Sequence, residues 1–212
     1  VIETIKKEKL IAIVRGIAPE KCLKVAGALY AGGFRLVEIT FDQKNPDSWA
    51  TTAAAIKAVS EAYSGTMEVG AGTVTSVELV ELAASAGAKY IISPDTNIDV
   101  IKRTRELGLV SMPGALTPTE ILTALEAGAD IVKVFPAGAL GPGYVKDVMG
   151  PLKQATIMVV GGVSLENIAD FFRAGAACAG IASNLVSKSL VDADDYAAIA
   201  ERAAAFVQAA KR

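Results

Sequence analysis

The chain has 212 residues, 52% of them apolar, with a net charge of −2 and no histidine. That length suits one domain of the larger α/β type, and the lack of a basic block argues against nucleic-acid binding. No apolar run approaches the 18 or so residues that cross a bilayer. The N-terminus, Val1-Ile2-Glu3-Thr4-Ile5-Lys6-Lys7, lacks the basic-then-apolar order of a signal peptide, so a cytoplasmic protein is expected. Cys22 and Cys178 stand alone and far apart, which indicates neither a zinc site nor a disulfide framework. Without histidine, Ser-His-Asp catalysis and imidazole metal sites are out of reach. Acid–base work falls to Glu, Asp, Lys or Tyr.

In chain order, strand-like apolar runs occur at 11–14, 36–41, 67–70, 90–92, 109–112, 131–135, 157–160 and 178–182. Between them lie Ala-, Leu- and Glu-rich stretches of helical character, among them 78–85, 119–126, 165–173 and 196–210. The segments Ala31-Gly32-Gly33, Ala86-Gly87-Ala88, Ala127-Gly128-Ala129 and Ala174-Gly175-Ala176 each precede a strand. Glycine there stops the helix and turns the chain back. Thr117-Pro118-Thr119-Glu120 and Ser164-Leu165-Glu166 read as capped helix starts. Eight βα units with no linker or composition break predict a single domain over 1–212, a closed (β/α)₈ TIM barrel. An open doubly wound sheet is the alternative, but no dinucleotide fingerprint follows the first strand.

In a barrel the reaction face lies at the C-terminal ends of the strands. The polar residues there are Arg15 after the first strand, Glu38 and Thr40 on the second, Thr73 after the third and Ser93-Pro94 after the fourth. Lys133 lies on the sixth, Gly161-Gly162 follow the seventh, and Ser183 follows the eighth. Two-residue alternation puts Leu36, Glu38 and Thr40 on one face and Ile11, Ile13 and Arg15 on another. If both faces point inward, Arg15, Glu38, Thr73 and Lys133 converge at the mouth.

Lys133 interrupts the apolar run Ile131-Val132-Lys133-Val134-Phe135-Pro136. A strand apolar on both faces is buried on both, and an ammonium there loses its water. Burial favours the neutral amine and lowers its pKa from about 10.4, which makes Lys133 a candidate nucleophile toward a carbonyl. Two bland readings compete: the side chain snorkels to solvent, or it forms a buried ion pair with Glu38 that only fixes strand register. The glycine segments at 161–162 and 180–183 sit where barrels bind phosphate through backbone N–H groups. Ordinary strand-to-helix turns are the alternative.

The motifs Val37-Glu38-Ile39-Thr40-Phe41, Gly70-Ala71-Gly72-Thr73-Val74, Ile92-Ser93-Pro94, Met112-Pro113-Gly114, Thr117-Pro118-Thr119-Glu120, Lys133-Val134-Phe135-Pro136 and Gly161-Gly162-Val163 follow one another along nearly the whole chain. In that register the sequence resembles the 2-keto-3-deoxy-6-phosphogluconate (KDPG) and 4-hydroxy-2-oxoglutarate (KHG) aldolases and the related phosphogalactonate enzymes. The resemblance implies a homotrimeric barrel and a metal-free class I aldolase with no cofactor beyond a covalent Schiff base on Lys133. It implies Glu38 as the acid/base acting through a bound water, Thr73 at the pyruvyl carboxylate, and Gly161, Gly162 and Ser183 at the phosphate. Pro94 and Phe135, inside matching motifs, are expected to contact substrate. The implied reaction cleaves KDPG to pyruvate and glyceraldehyde 3-phosphate, with hydroxyoxoglutarate or the phosphogalactonate epimer as further substrates. A different phosphosugar barrel enzyme and a non-enzymatic sugar-phosphate-binding barrel are the other readings.

Two positions depart from the family pattern. Many members carry Arg four residues after the catalytic Glu, where it holds the pyruvyl carboxylate, and here that residue is Asp42. Arg15 is the expected substitute, with Asp42 either turned away or paired to Arg15. The second departure is Ser183-Asn184, where relatives often follow the Ser with a small or aromatic residue.

Overall fold

The computed structural model describes residues 1–211. Its strands are β1 (Leu10–Val14), β2 (Leu36–Thr40), β3 (Glu68–Gly72), β4 (Tyr90–Ile92), β5 (Val110–Met112), β6 (Gly114–Ala115), β7 (Val132–Val134), β8 (Ile157–Val160) and β9 (Cys178–Ile181). All pairings are parallel, in the order β5-β4-β3-β2-β1-β9-β8-β7-β6. β5 and β6 are two halves of one stave. They flank Pro113, whose nitrogen has no hydrogen to give the ladder. The first half pairs with β4 and the second with β7, and the Lys133 N–H donates to the Pro113 carbonyl at 2.8 Å. Nine segments therefore make the eight staves of a (β/α)₈ barrel.

Helices α1 (Ile2–Glu8), α2 (Pro19–Ala31), α3 (Trp49–Ala62), α4 (Val77–Ser85), α5 (Ile98–Glu106), α6 (Pro118–Glu126), α7 (Ala137–Met149), α8 (Ile168–Arg173), α9 (Lys188–Asp192) and α10 (Tyr196–Ala209) surround it. The four glycine refrains behave alike. Gly33, Gly87, Gly128 and Gly175 have φ of 99°, 89°, 102° and 108°, and the N–H of the residue after each glycine reaches back to a carbonyl of the helix's last turn, as Phe34 does to Leu29 and Ala88 to Ala83. Thr117 caps α6 in a full capping box with Glu120. Ser164 does not cap α8. The helix begins at Ile168 rather than 165, because Asn167 folds back to accept the Ser164 N–H and donates to the Gly162 carbonyl, which keeps 164–167 a turn.

Strand alternation separates two cores. One face of each stave fills the barrel with Ile11, Ile13, Leu36, Tyr90, Met112 and Met158, and Ile5 of α1 joins them. The other face, including Val37, Ile39, Val69 and Val134, packs on Leu29, Ile56 and Leu79 of the helices. Strands buried on both faces explain the high apolar content. Among the described residues no helix is long and apolar enough to cross a membrane.

Candidate active site

Inward alternation carries the interior rows up to Glu38 and Lys133. Ile13 is the register partner of Glu38, which in turn faces Gly70 on β3; Lys133 is paired with Gly114 and Met158. Glu38 is fully buried and Lys133 is 3% exposed, so the snorkelling reading of Lys133 fails. The ion-pair reading fails as well: among the described residues no salt bridge within 4.0 Å joins the two. Both carboxylate oxygens of Glu38 are buried without a hydrogen-bond partner. Buried polar atoms are nearly always satisfied, and an orphan carboxylate is costly.

Electrostatics follow from burial. Desolvation raises the Glu38 pKa above the ordinary carboxylate value, against the lowering charges of Lys133 and Arg15. Desolvation lowers the Lys133 pKa; Arg15 adds to this, while Glu38 and Asp95 oppose it. Each group is pushed toward its neutral form, and each is near enough for its charge to bias the other. The Lys133 ammonium lies 5.1 Å from the centroid of the Phe135 ring, and that ring packs against Gly161, where an added Cβ would stand 3.1 Å from it.

Around the mouth, Arg15, Thr40, Asp42, Gln43 and Thr73 share a cleft of about 680 Å³ formed by the β1 and β2 ends with α9. Arg15 is exposed, and it makes no salt bridge to Asp42 among the described residues. Asp42 is turned into its own loop, where its carboxylate accepts the Lys44 N–H at 2.9 Å. Of the two arrangements expected for Asp42, turned away or paired to Arg15, the first is formed, since the short acidic side chain is already satisfied by a turn two residues long. Thr73 has φ 57°, the left-handed region, which is strained for a branched side chain. Pro94 ends the fourth stave on the rim and is exposed.

The opposite rim is built of glycine backbone. The Gly138 N–H at the start of α7 donates to the Gly161 carbonyl at 2.6 Å. Gly162 (φ 74°) lies so close to Gly138 that a Cβ would stand 2.9 Å from its Cα. The Asn184 side chain donates to the Val163 carbonyl at 2.8 Å, tying the exposed Ser183 turn to the Gly161–Gly162 turn. That bond is the structural use of the unusual Ser183-Asn184 pair. Asp95 and Gln43 belong to this site and escaped sequence reading, for a rim carboxylate and a loop amide carry no spacing signal of their own; Gly72 stood in a quoted motif but without a role. Among the described residues no three acidic or cysteine side chains cluster to suit a metal.

A family model described as KDPG and KHG aldolase matches residues 1–202. The chain belongs to the KDPG and KHG aldolase family. It is 39% identical over 204 residues to the 2-dehydro-3-deoxy-6-phosphogalactonate aldolase of Escherichia coli (strain K12), covering 96% of this chain and 95% of that one. It is 32% identical over 199 residues to the 2-dehydro-3-deoxy-phosphogluconate aldolase of Haemophilus influenzae, covering 92% and 90%. A solved structure described as native KDPGal superposes with a TM-score of 0.86 at 39% identity, covering 95% of this chain and 94% of the other. The protein is an aldolase, a carbon–carbon lyase, on the barrel that its sequence rhythm predicts.

Proposed function

We propose that this aldolase is a class I enzyme that forms a Schiff base through Lys133 and cleaves a 2-keto-3-deoxy-6-phospho sugar acid to pyruvate and glyceraldehyde 3-phosphate. The carrying observation is the buried, unpaired Lys133 amine sharing one mouth with the orphan carboxylate of Glu38. A lowered pKa supplies the neutral amine that attacks a C2 ketone. Loss of water leaves an iminium, which draws electrons as the C3–C4 bond breaks. Glu38 takes the C4 hydroxyl proton, directly or through a water, so the aldehyde leaves and an enamine remains. The same carboxyl then returns a proton to C3, and hydrolysis of the iminium releases pyruvate and the free amine. A base of this kind contributes about 10²–10⁴-fold. No metal or other cofactor enters these steps.

Arg15 and Thr73 are the proposed carboxylate holders. A guanidinium grips a carboxylate through two parallel bonds, and the exposed Arg15 shares the cleft with Thr73. Phe135 covers the amine, Pro94 shapes the rim, and Gly161, Gly162 and Ser183 take the phosphate through backbone N–H groups and a hydroxyl. The galactonate epimer is the second reading for the substrate, favoured by the higher identity to the relative named for it. Pyruvate release measured over both C4 epimers and hydroxyoxoglutarate separates the readings. A lower KM for the phosphorylated acids, with competition by free phosphate, is expected. Equal handling of hydroxyoxoglutarate with indifference to phosphate would reduce the glycine rim to turns. The proposed setting is a cytoplasmic homotrimer; exposed Leu116, Leu122 and Leu140 support subunit contact, and mass measurement in solution tests it.

A further inference from the structure

Thr73 is held in a conformation it would not choose. Three described non-glycine residues have positive φ, namely Lys9, Thr73 and Asp194, and Thr73 is the only β-branched one. Such strain persists where surrounding structure over-determines it, and it gathers at ligand sites. Its hydroxyl makes no hydrogen bond within the described residues, and the side chain lines the cleft beside Arg15 and Thr40.

The clasp comes from β2's own loop. The Gln43 side-chain amide donates to the Thr73 carbonyl at 2.8 Å, and its oxygen accepts the Thr75 hydroxyl at 2.9 Å. One side chain thus bridges the two ends of the 73–75 turn. Below that turn the Ser93 hydroxyl donates to the Val74 carbonyl at 2.7 Å and the Asn97 side chain to the Thr75 carbonyl at 3.4 Å, so the middle and far end of the turn have anchors of their own, while the Thr73 end is held by the Gln43 side chain. Gln43 is itself presented by a fixed turn. Asp42 accepts the Lys44 N–H through its carboxylate, and its carbonyl accepts the Trp49 indole N–H at 2.9 Å. The stave that carries Glu38 therefore also reaches across to fix the neighbouring stave's terminus.

We infer that Gln43 is a positioning residue for the aldol reaction, holding Thr73 in the strained turn that presents its free hydroxyl to the substrate's α-keto carboxylate. The inference rests on the proposed role of Thr73. Without Gln43 the turn relaxes toward negative φ and the hydroxyl swings away from the cleft. Lys133 and Glu38 sit on other staves and keep their places. Binding of the keto acid then weakens while proton transfer on the bound molecule continues.

The test is exchange of pyruvate methyl protons with solvent, followed by NMR over a pyruvate series in the intact enzyme. This separates KM for pyruvate from the exchange kcat. Four proteins are compared with wild type: Gln43→Ala, Gln43→Glu, Thr73→Ala and the Gln43→Ala/Thr73→Ala double variant. Loss of one hydrogen-bonded clasp predicts a rise in KM of about threefold to tenfold for Gln43→Ala, with kcat within about twofold. Gln43→Glu keeps the acceptor for Thr75 but loses the donor to Thr73, and should behave like the alanine variant. Once the Thr73 hydroxyl is gone, Gln43 has nothing left to position. The double variant should then be no worse than Thr73→Ala alone, an interaction only coupled residues show. A normal KM in Gln43→Ala, or single effects that multiply in the double variant, would overturn the inference while leaving Thr73's role intact. A normal KM in Thr73→Ala would remove that role, and the inference with it.

Discussion

The Glu38 carboxyl lies directly across the bare Cα of Gly72 on the neighbouring stave. A Cβ built there would overlap the carboxylate outright and stand 2.6 Å from Cγ of Glu38. The acid thus occupies the volume a side chain at position 72 would need, at the same stave end that leads into Thr73. Gly72→Ala meets the far end of a side chain rather than backbone, so Glu38 swings aside and the fold survives at a cost of about 1–3 kcal/mol. Pyruvate should still be trapped on Lys133, whereas methyl-proton exchange should fall by about 10²-fold or more. Normal exchange in this variant would show that Glu38 need not sit where the structure puts it.

Burial of two opposite charges without contact sets a stability cost that depends on pH. Glu38 has a raised pKa. Its contribution to stability is full below its ordinary value and is lost as pH rises through the raised one. Lys133 is lowered. Its contribution is full above its ordinary value and is lost as pH falls through the lowered one. Glu38→Gln should therefore gain on wild type as pH rises from acid, and Lys133→Met as pH falls from alkaline. Near neutrality both are expected to melt a few degrees higher, since 1 kcal/mol is worth about 2–4 °C at this size. Thermal scans across pH check this. Variants less stable than wild type at every pH would mean the site is not strained by desolvation.

Asp95 offers a finer control on the amine. Desolvation first and Arg15 second among the lowering influences act on Lys133, while Glu38 and Asp95 hold its pKa up. Asp95→Asn removes one of the two opposing charges, so the pKa of Lys133 should fall further. The rise of pyruvate trapping with pH should shift to lower pH in this variant. A profile that stays in place, or moves up, would exclude Asp95 as a neighbour that matters.

The carboxylate end distinguishes Arg15 from Asp42. Arg15→Lys keeps the charge but loses the planar fork, and KM for pyruvate should rise about tenfold, the worth of one charge-assisted bond. Asp42→Asn retains an oxygen to accept the Lys44 N–H and should change KM little. A large effect at Asp42 with none at Arg15 would reverse the assignment, and affinity for pyruvate in the two variants decides it.

The barrel was readable because its signals are local: apolar runs, glycine stops after helices and the Thr117–Glu120 cap each arise from a few adjacent residues. Lys133 and Glu38 were readable for the opposite reason, since charge inside an apolar strand contradicts its surroundings. The start of α8 was misplaced because Ser164 looks like a cap, while the deciding contacts come from Asn167 to Ser164 and Gly162. The fifth apolar run stops at residue 112 before Pro113-Gly114, yet pairing with β7 carries the stave on to Ala115. The relation of Arg15 to Asp42 was open because it depends on loop geometry, and a turn through Lys44 settled it. Gly72, Gln43 and Asp95 matter only through partners on other staves, which no single stretch of sequence displays.

Borohydride reduction in the presence of pyruvate, followed by peptide mapping, tests the Schiff-base assignment most directly. Only an imine is captured this way, and the adduct marks the lysine that formed it. One equivalent of reduced pyruvate is expected on Lys133, with no labelling and no retro-aldol activity in a folded Lys133→Ala protein. A label on any other lysine, or none at all in active wild-type enzyme, would contradict the assignment.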